Sequence, residues 1–144
     1  MKSYSKIYYD TAMEYQAGRN GKPKDDRKAF EYLEMSIQEE KTKDNLADMG
    51  WNFLCGFGIE VDEIKAHQMF LEAADLGGGF AQFMVGGNFY RGNIVERDPM
   101  KAIYYLTLAI HNPEFDDELI AFLGEDAREW VEELSVEINN QCIK

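Results

Sequence analysis

Apolar side chains along this chain fall at helical spacing, in short segments separated by turns rich in glycine and aspartate. Phe80 to Arg91 is one such segment, and Gly92 follows where a left-handed residue ends a helix. Asp98 then reads as an N-cap with Pro99 at the first helical position, where its missing N–H costs nothing. The helix after it carries Ala102, Tyr105, Leu106 and Ala109 on one face. Residues upstream show the same grammar. Gly56 ends one helix, Asp62 caps the next, and Ala66, Met69, Phe70, Ala73 and Ala74 form its stripe. The first such pair is looser: its inter-helix loop, Gly18 to Asp26, is one residue longer, carries Pro23, and offers Asp25 or Asp26 as the cap.

These pairs are copies of one unit of about 36 residues. Lys-Ala recurs at Lys28-Ala29, Lys65-Ala66 and Lys101-Ala102, and a glycine recurs upstream at Gly18, Gly56 and Gly92. Six positions before each glycine stands a small residue, Ala12, Gly50 or Gly86. Three positions before it stands an aromatic, Tyr15, Phe53 or Phe89. Four landmarks in phase across three copies mark a true repeat of two helices, A and B. The small residues of helix A and the alanines of helix B let the two approach closely.

The landmarks resemble the Sel-one-like repeat, a tetratricopeptide-like α/α unit. In the third copy Ala81, Val85, Gly86, Phe89, Gly92, Val95, Asp98, Lys101 and Ala102 fit its spacing. In the second, Met49, Gly50, Phe53, Gly56, Gly58, Ile59, Asp62, Lys65, Ala66, Ala73, Ala74 and Gly77 do. The first keeps Ala12, Tyr15, Gly18, Lys28 and Ala29. The resemblance implies an all-α fold, a short right-handed α/α solenoid of about three helix-turn-helix repeats, with the A helices lining its concave face. It divides a single domain into residues 5–43, 44–79 and 80–113, leaving 114–144 as an acidic C-terminal cap. By tetratricopeptide analogy, concave positions are Tyr9, Met13 and Gln16, then Ala47, Trp51, Leu54 and Cys55, then Phe83, Gly87, Tyr90 and Arg91. The motif itself is structural and names no ligand.

Beyond Pro113 the repeat stops. Asp116-Asp117 can cap a last helical segment, with Leu119, Phe122, Leu123, Ala127, Trp130, Val131, Leu134 and Ile138 as its apolar face and Gly124 placed to break it in two. Terminal units of a solenoid cover the last repeat and show water a polar side. Here that side is acidic: residues 114–144 carry ten acids and two bases, whereas residues 1–30 carry seven bases and four acids. The chain of 144 residues has a net charge of −12. That disfavours nucleic acid, whose phosphates require a surplus of Lys and Arg, and anionic lipid alike. No stretch reaches the roughly 20 apolar residues of a membrane span, and no apolar leader follows the N-terminus, so a cytoplasmic protein is expected.

No constellation for catalysis, metal or cofactor emerges. His67 and His111 lie on different B helices without partners at metal-ligand spacing. Cys55 and Cys142 form no pair and have no base nearby in sequence, which predicts small buried thiols. Gly77-Gly78-Gly79 lacks the lysine and hydroxyl of a phosphate loop and reads as a connection between helices. Adjacent acids such as Glu39-Glu40 and Glu132-Glu133 point to different sides of a helix, which leaves a carboxylate-dependent hydrolase without support. The expectation is a non-enzymatic binding module. Its candidate contacts are Tyr9, Met13, Trp51, Leu54, Phe83, Tyr90 and Arg91 in the groove, with Glu132 and Glu133 steering a basic partner. An immunity-type inhibitor of a basic toxin domain is the sharper form of this reading. An adaptor that binds a peptide segment is the alternative.

Overall fold

The computed structural model describes residues 3–116 and 118–143. Among the described residues there are seven α-helices and no strand: α1 (Tyr4–Ala17), α2 (Asp26–Glu39), α3 (Lys43–Cys55), α4 (Glu63–Asp75), α5 (Gly79–Arg91), α6 (Pro99–Ile110) and α7 (Glu118–Cys142). A 3-10 turn, Pro113–Asp116, precedes α7. Helices α1, α3 and α5 are the A helices of three repeats, and α2, α4 and α6 the B helices.

Each landmark of the repeat has a physical task, performed three times. Gly18, Gly56 and Gly92 take left-handed backbone at φ 65°, 74° and 68°, which turns the chain out of helix A. The N–H of the capping aspartate then reaches back to the carbonyl of the landmark aromatic: Asp25 to Tyr15 at 2.9 Å, Asp62 to Phe53 at 2.9 Å, Asp98 to Phe89 at 3.1 Å. The aspartate side chain accepts from the N–H of the Lys in Lys-Ala, at 3.0, 3.0 and 3.1 Å. That lysine lies over the same aromatic ring. Lys28 Nζ is 5.4 Å from the centre of Tyr15, Lys65 is 5.6 Å from Phe53, and Lys101 is 5.4 Å from Phe89. Each cation–π contact contributes about 0.5–1 kcal/mol at such exposed sites. The alanine beside the lysine is buried in every copy: Ala29, Ala66 and Ala102. In the first repeat Asp25 is the cap, and the extra loop residue is absorbed by left-handed Asn20 and Gly21.

The chain packs as two compact units, residues 1–69 and 70–144. In the first, Ala12, Phe30, Leu33 and Met49 form the core, with Tyr9, Met13, Tyr32 and Phe53 packed against it. A buried polar knot ties α1, α2 and α3 together. Ser5 and Ser36 exchange hydroxyl-to-carbonyl bonds at 2.9 and 2.8 Å, and Asn45 Nδ2 donates to Ser36 Oγ at 3.0 Å.

In the second unit, α5 meets α6 where Gly86 leaves no room: a Cβ there would lie 2.6 Å from Leu106 Cγ. The close approach expected of a small residue at this landmark is what the packing requires. The 3-10 turn then leads into α7, which buries Ala127 and Leu134. Gly124 does not break α7. The helix runs unbroken through it, because the bare glycine lets α7 sit against the Phe115 ring, 3.3 Å from where a Cβ would stand. The predicted cap at Asp117, and the side chains of Asp116 and Leu119, lie outside the described residues.

Candidate functional site

The sequence places its candidate contacts on the A helices, and the two units present them differently. On the first unit, Tyr9 and Met13 of α1 are half-buried, packed at the edge of the core. Tyr9 donates its hydroxyl to Asp48 Oδ2 on α3 at 2.6 Å, so α1 and α3 share one face. Trp51 lies one turn beyond Asp48 on that helix and is 39% exposed, and Leu54 beyond it is half-buried.

Carboxylates dominate the electrostatics of this face. Burial pushes the Tyr9 phenol well above its ordinary range, and the bond to Asp48, with the fields of Asp48, Asp44 and Asp10, pushes it further. Burial also raises the Asp48 carboxyl. The Tyr9 bond opposes that shift and Asp44 adds to it. Lys6, the base on the same stretch of α1, is paired with Asp10 at 3.1 Å. Beside Tyr9 a cavity of about 260 Å³ is lined by Ser3, Lys6, Glu40, Thr42 and Asp44 among others.

On the second unit the corresponding face is filled from within the chain. Trp130 of α7 stacks on Tyr90 at 4.9 Å and on Phe83 at 5.5 Å. The Arg91 guanidinium lies over the same indole at 5.1 Å. Phe83 is therefore a core residue, 6% exposed. Gly87 makes this possible, since a Cβ there would come within 3.3 Å of Trp130 Cζ3. Polar clasps hold the edges. The Tyr90 hydroxyl donates to the Glu133 carboxylate, which raises the phenol's pKa, and Arg97 grips Glu137 with two bonds at 2.9 and 2.7 Å. Glu132 and Glu133 are both exposed.

One reading changes here. Cys55 and Cys142 are exposed rather than buried, because each lies on the outer side of a helix's last turn. The three-glycine connection does meet an anion, supplied by the chain itself: Glu114 Oε2 accepts from the Gly79 N–H at 2.7 Å, at the positive end of α5. His67 is buried, which lowers its pKa, and His111 ends α6 in solvent. Among the described residues no three His, Cys, Asp or Glu are grouped to hold a metal ion, and no helix is long and apolar enough to cross a membrane.

Sequence reasoning missed the carboxylates Asp44 and Asp48 and the role of Trp130. The first two had a signal, since they precede Trp51 by seven and three residues and so share its helical face. It also missed Met100 and Tyr104, two exposed apolar side chains one turn apart on α6, beside a cavity of about 390 Å³.

The model of the Sel1 repeat matches residues 7–40, 46–78 and 79–112, most of the chain and all three helix pairs. The chain belongs to the Sel1 repeat family. Proteins of this family generally mediate protein–protein contacts. Among solved structures, the fold is similar to a Sel1 repeat protein from Oxalobacter formigenes, at TM-score 0.69 and 23% identity over 85% of this chain and 88% of that one. It is also similar to c5321, described as a protective antigen of uropathogenic Escherichia coli displaying an SLR fold, at TM-score 0.70 and 20% identity. That match covers 93% of this chain and 31% of the other, so the present Sel1 repeat chain spans about a third of its length. No curated protein matches the sequence.

Proposed function

We propose that this Sel1 repeat protein is a non-enzymatic, cytoplasmic interaction module that binds and neutralises a basic protein partner, in the manner of an immunity protein acting on a toxin domain. The observation that carries the reading is the pairing of exposed aromatic surface with excess carboxylate. Trp51 and Tyr9 share a face with Asp44 and Asp48, and α7 shows solvent Glu129, Glu132 and Glu133. A net charge of −12 draws a basic partner in, and the aromatic surface holds it. Function on a repeat scaffold resides in such surfaces rather than in the fold.

The test is affinity capture of the tagged protein from its own cells at low and high salt, with mass spectrometry of what comes down. One stoichiometric basic partner, lost at high salt and toxic or enzymatically active when isolated, is the expected result. Several sub-stoichiometric partners sharing a short segment, retained at high salt, would favour the adaptor reading. The exposed Met100 and Tyr104 of α6 are the surface that supports it, since an apolar patch of this kind needs no charged ligand.

A further inference from the structure

We propose that the groove beside α6 docks an apolar peptide segment bearing one carboxylate, with an aromatic or leucine side chain among Leu71, Met100 and Tyr104 and the acid on Lys101. The inference goes beyond the basic-partner reading. It uses a surface within the second unit, residues 70–144, and can fail independently of that reading.

Three observations lead there. The first is exposed apolar surface on a rigid wall. Met100 and Tyr104 are 65% and 58% exposed, and Leu108, one turn further along α6, is 38% exposed. Spaced at i, i+4 and i+8, they form one stripe, and its first two members line a cavity of about 390 Å³ together with Leu71, Phe89 and Tyr105. Tyr105 stacks on Phe89 at 6.2 Å, meets Tyr104 edge-on at 5.0 Å, and donates its hydroxyl to Asp75 Oδ1 at 3.0 Å. Rings already fixed in this way lose little freedom when a side chain enters beside them. The second observation is charge. The chain has 27 acids, yet α6 has none, and its one charged residue is Lys101. The Lys101 ammonium lies 5.4 Å from the centre of the Phe89 ring, and among the described residues no carboxylate is paired with it. An ammonium at the edge of an apolar groove favours a segment with an acid beside its apolar residue. A polyacidic segment would instead be repelled by the net charge of −12, so a single carboxylate fits best.

The third observation is the sister groove of the first unit, a cavity of about 230 Å³ lined by Phe53 and Met69, which correspond in the repeat to Phe89 and Tyr105. Six positions after the lysine of Lys-Ala, the first unit places Glu34 in the lining, and the second places Leu71. Glu34 repels a carboxylate where Leu71 offers it an apolar neighbour. The places of Met100 and Tyr104 are taken in the preceding repeat by Ile64 and Gln68. The α6 groove thus differs from its sister by exchanging an acid for leucine and a polar amide for tyrosine, both in the direction of an apolar ligand.

The experiment is selection of a displayed library of random peptides on the full chain, with counter-selection on Tyr104→Ser. Affinities of the recovered peptides are then measured for the wild type, Tyr104→Ser, Lys101→Met and Leu71→Glu. Lys101→Met keeps an aliphatic stem on Phe89, Tyr104 is more than half exposed, and thermal unfolding checks that each variant is folded. The proposal expects peptides in which an aromatic residue or Leu stands beside Asp or Glu. Their affinity should fall about twentyfold with Tyr104→Ser and about fivefold with Lys101→Met. Replacing the peptide's acid by its amide should cost the same factor on the wild type and nothing further on Lys101→Met. Leu71→Glu, which copies the acid of the first unit's groove, should weaken binding at least as much as Lys101→Met. Peptides without an acid, or peptides that bind Lys101→Met as tightly as the wild type, overturn the assigned ligand. If every recovered peptide is basic and blind to Tyr104→Ser, or if none survives counter-selection, the groove is overturned and the basic-partner reading is left standing.

Discussion

Position 51 of the second repeat and position 87 of the third stand at the same place relative to their landmark glycines, and the chain fills them in opposite ways. At 87 there is a glycine, and an indole from α7 lies where its side chain would have been. At 51 the repeat supplies its own indole, 39% exposed. One A-helix face thus receives an indole from α7, and the other carries its own indole on the same helix side as Asp44 and Asp48. The two tryptophans do different work: Trp130 reaches α5 from α7, whereas Trp51 stands on its own A helix, α3. Exchanging one residue between the repeats therefore decides whether the indole on an A-helix face comes from that helix or from another.

The largest effects should come from Trp130. Trp130→Ala removes the ring shared by Phe83, Tyr90 and Arg91, and is expected to cost about 3 kcal/mol, with faster hydrogen exchange through α7. Trp51→Ala should cost less than about 1 kcal/mol in the same denaturant titration. Equal losses at both sites would erase the contrast and make Trp51 a core residue. Gly87→Trp copies the second repeat into the third. Its Cβ alone crowds Trp130, so the large side chain should expel α7's indole at a cost of about 2 kcal/mol and expose Phe83. Unchanged stability and exchange would show that α7 is not held by that contact.

Binding reverses the ranking. Trp51→Ala is expected to weaken the partner complex by about 2 kcal/mol, read by titration calorimetry, whereas Gly87→Ala, too small to reach solvent, should leave affinity unaltered. The acidic side of α7 sharpens the distinction between steering and holding. Glu133 is engaged by Tyr90, so the cleaner reversal is Glu129→Lys with Glu132→Lys. Association with a basic partner should slow about three- to tenfold at low salt, with dissociation unaffected and the difference gone at high salt. An equal association rate in stopped flow at low salt would remove α7 from the encounter.

How much of this was legible in the sequence follows from what each residue contacts. The landmarks could be read because glycine turn, aspartate cap, lysine and aromatic all act on one another within one repeat, at fixed separations. The A-helix candidates could be placed on helices for the same reason. The fate of Phe83 and Tyr90 could not, because it depends on Trp130, some forty residues away and outside the repeat. Gly87 was the available hint, since a glycine where the sister repeat carries tryptophan makes room for a visitor. Gly124 misled by the same logic in reverse. Glycine weakens a helix by propensity, but Phe115 packs against it and the helix continues.

The smallest effect is a pH dependence that isolates the α1–α3 face. Burial raises the Asp48 carboxyl in the folded protein, so the native state holds that proton more tightly than the unfolded chain does. Such a group favours the fold fully below the unfolded aspartate value of about 3.9, and the contribution is lost as pH rises through the higher folded value. Asp48→Asn does not titrate and keeps an acceptor for Tyr9. The variant should match the wild type near pH 3 and become the more stable of the two as pH climbs toward neutrality, in parallel denaturant titrations. His67, whose pKa is lowered by burial, titrates in both proteins and cancels from the difference. A wild type that instead gains on the variant with rising pH would mean that Asp48 is stabilised as an anion by a cation within the folded chain.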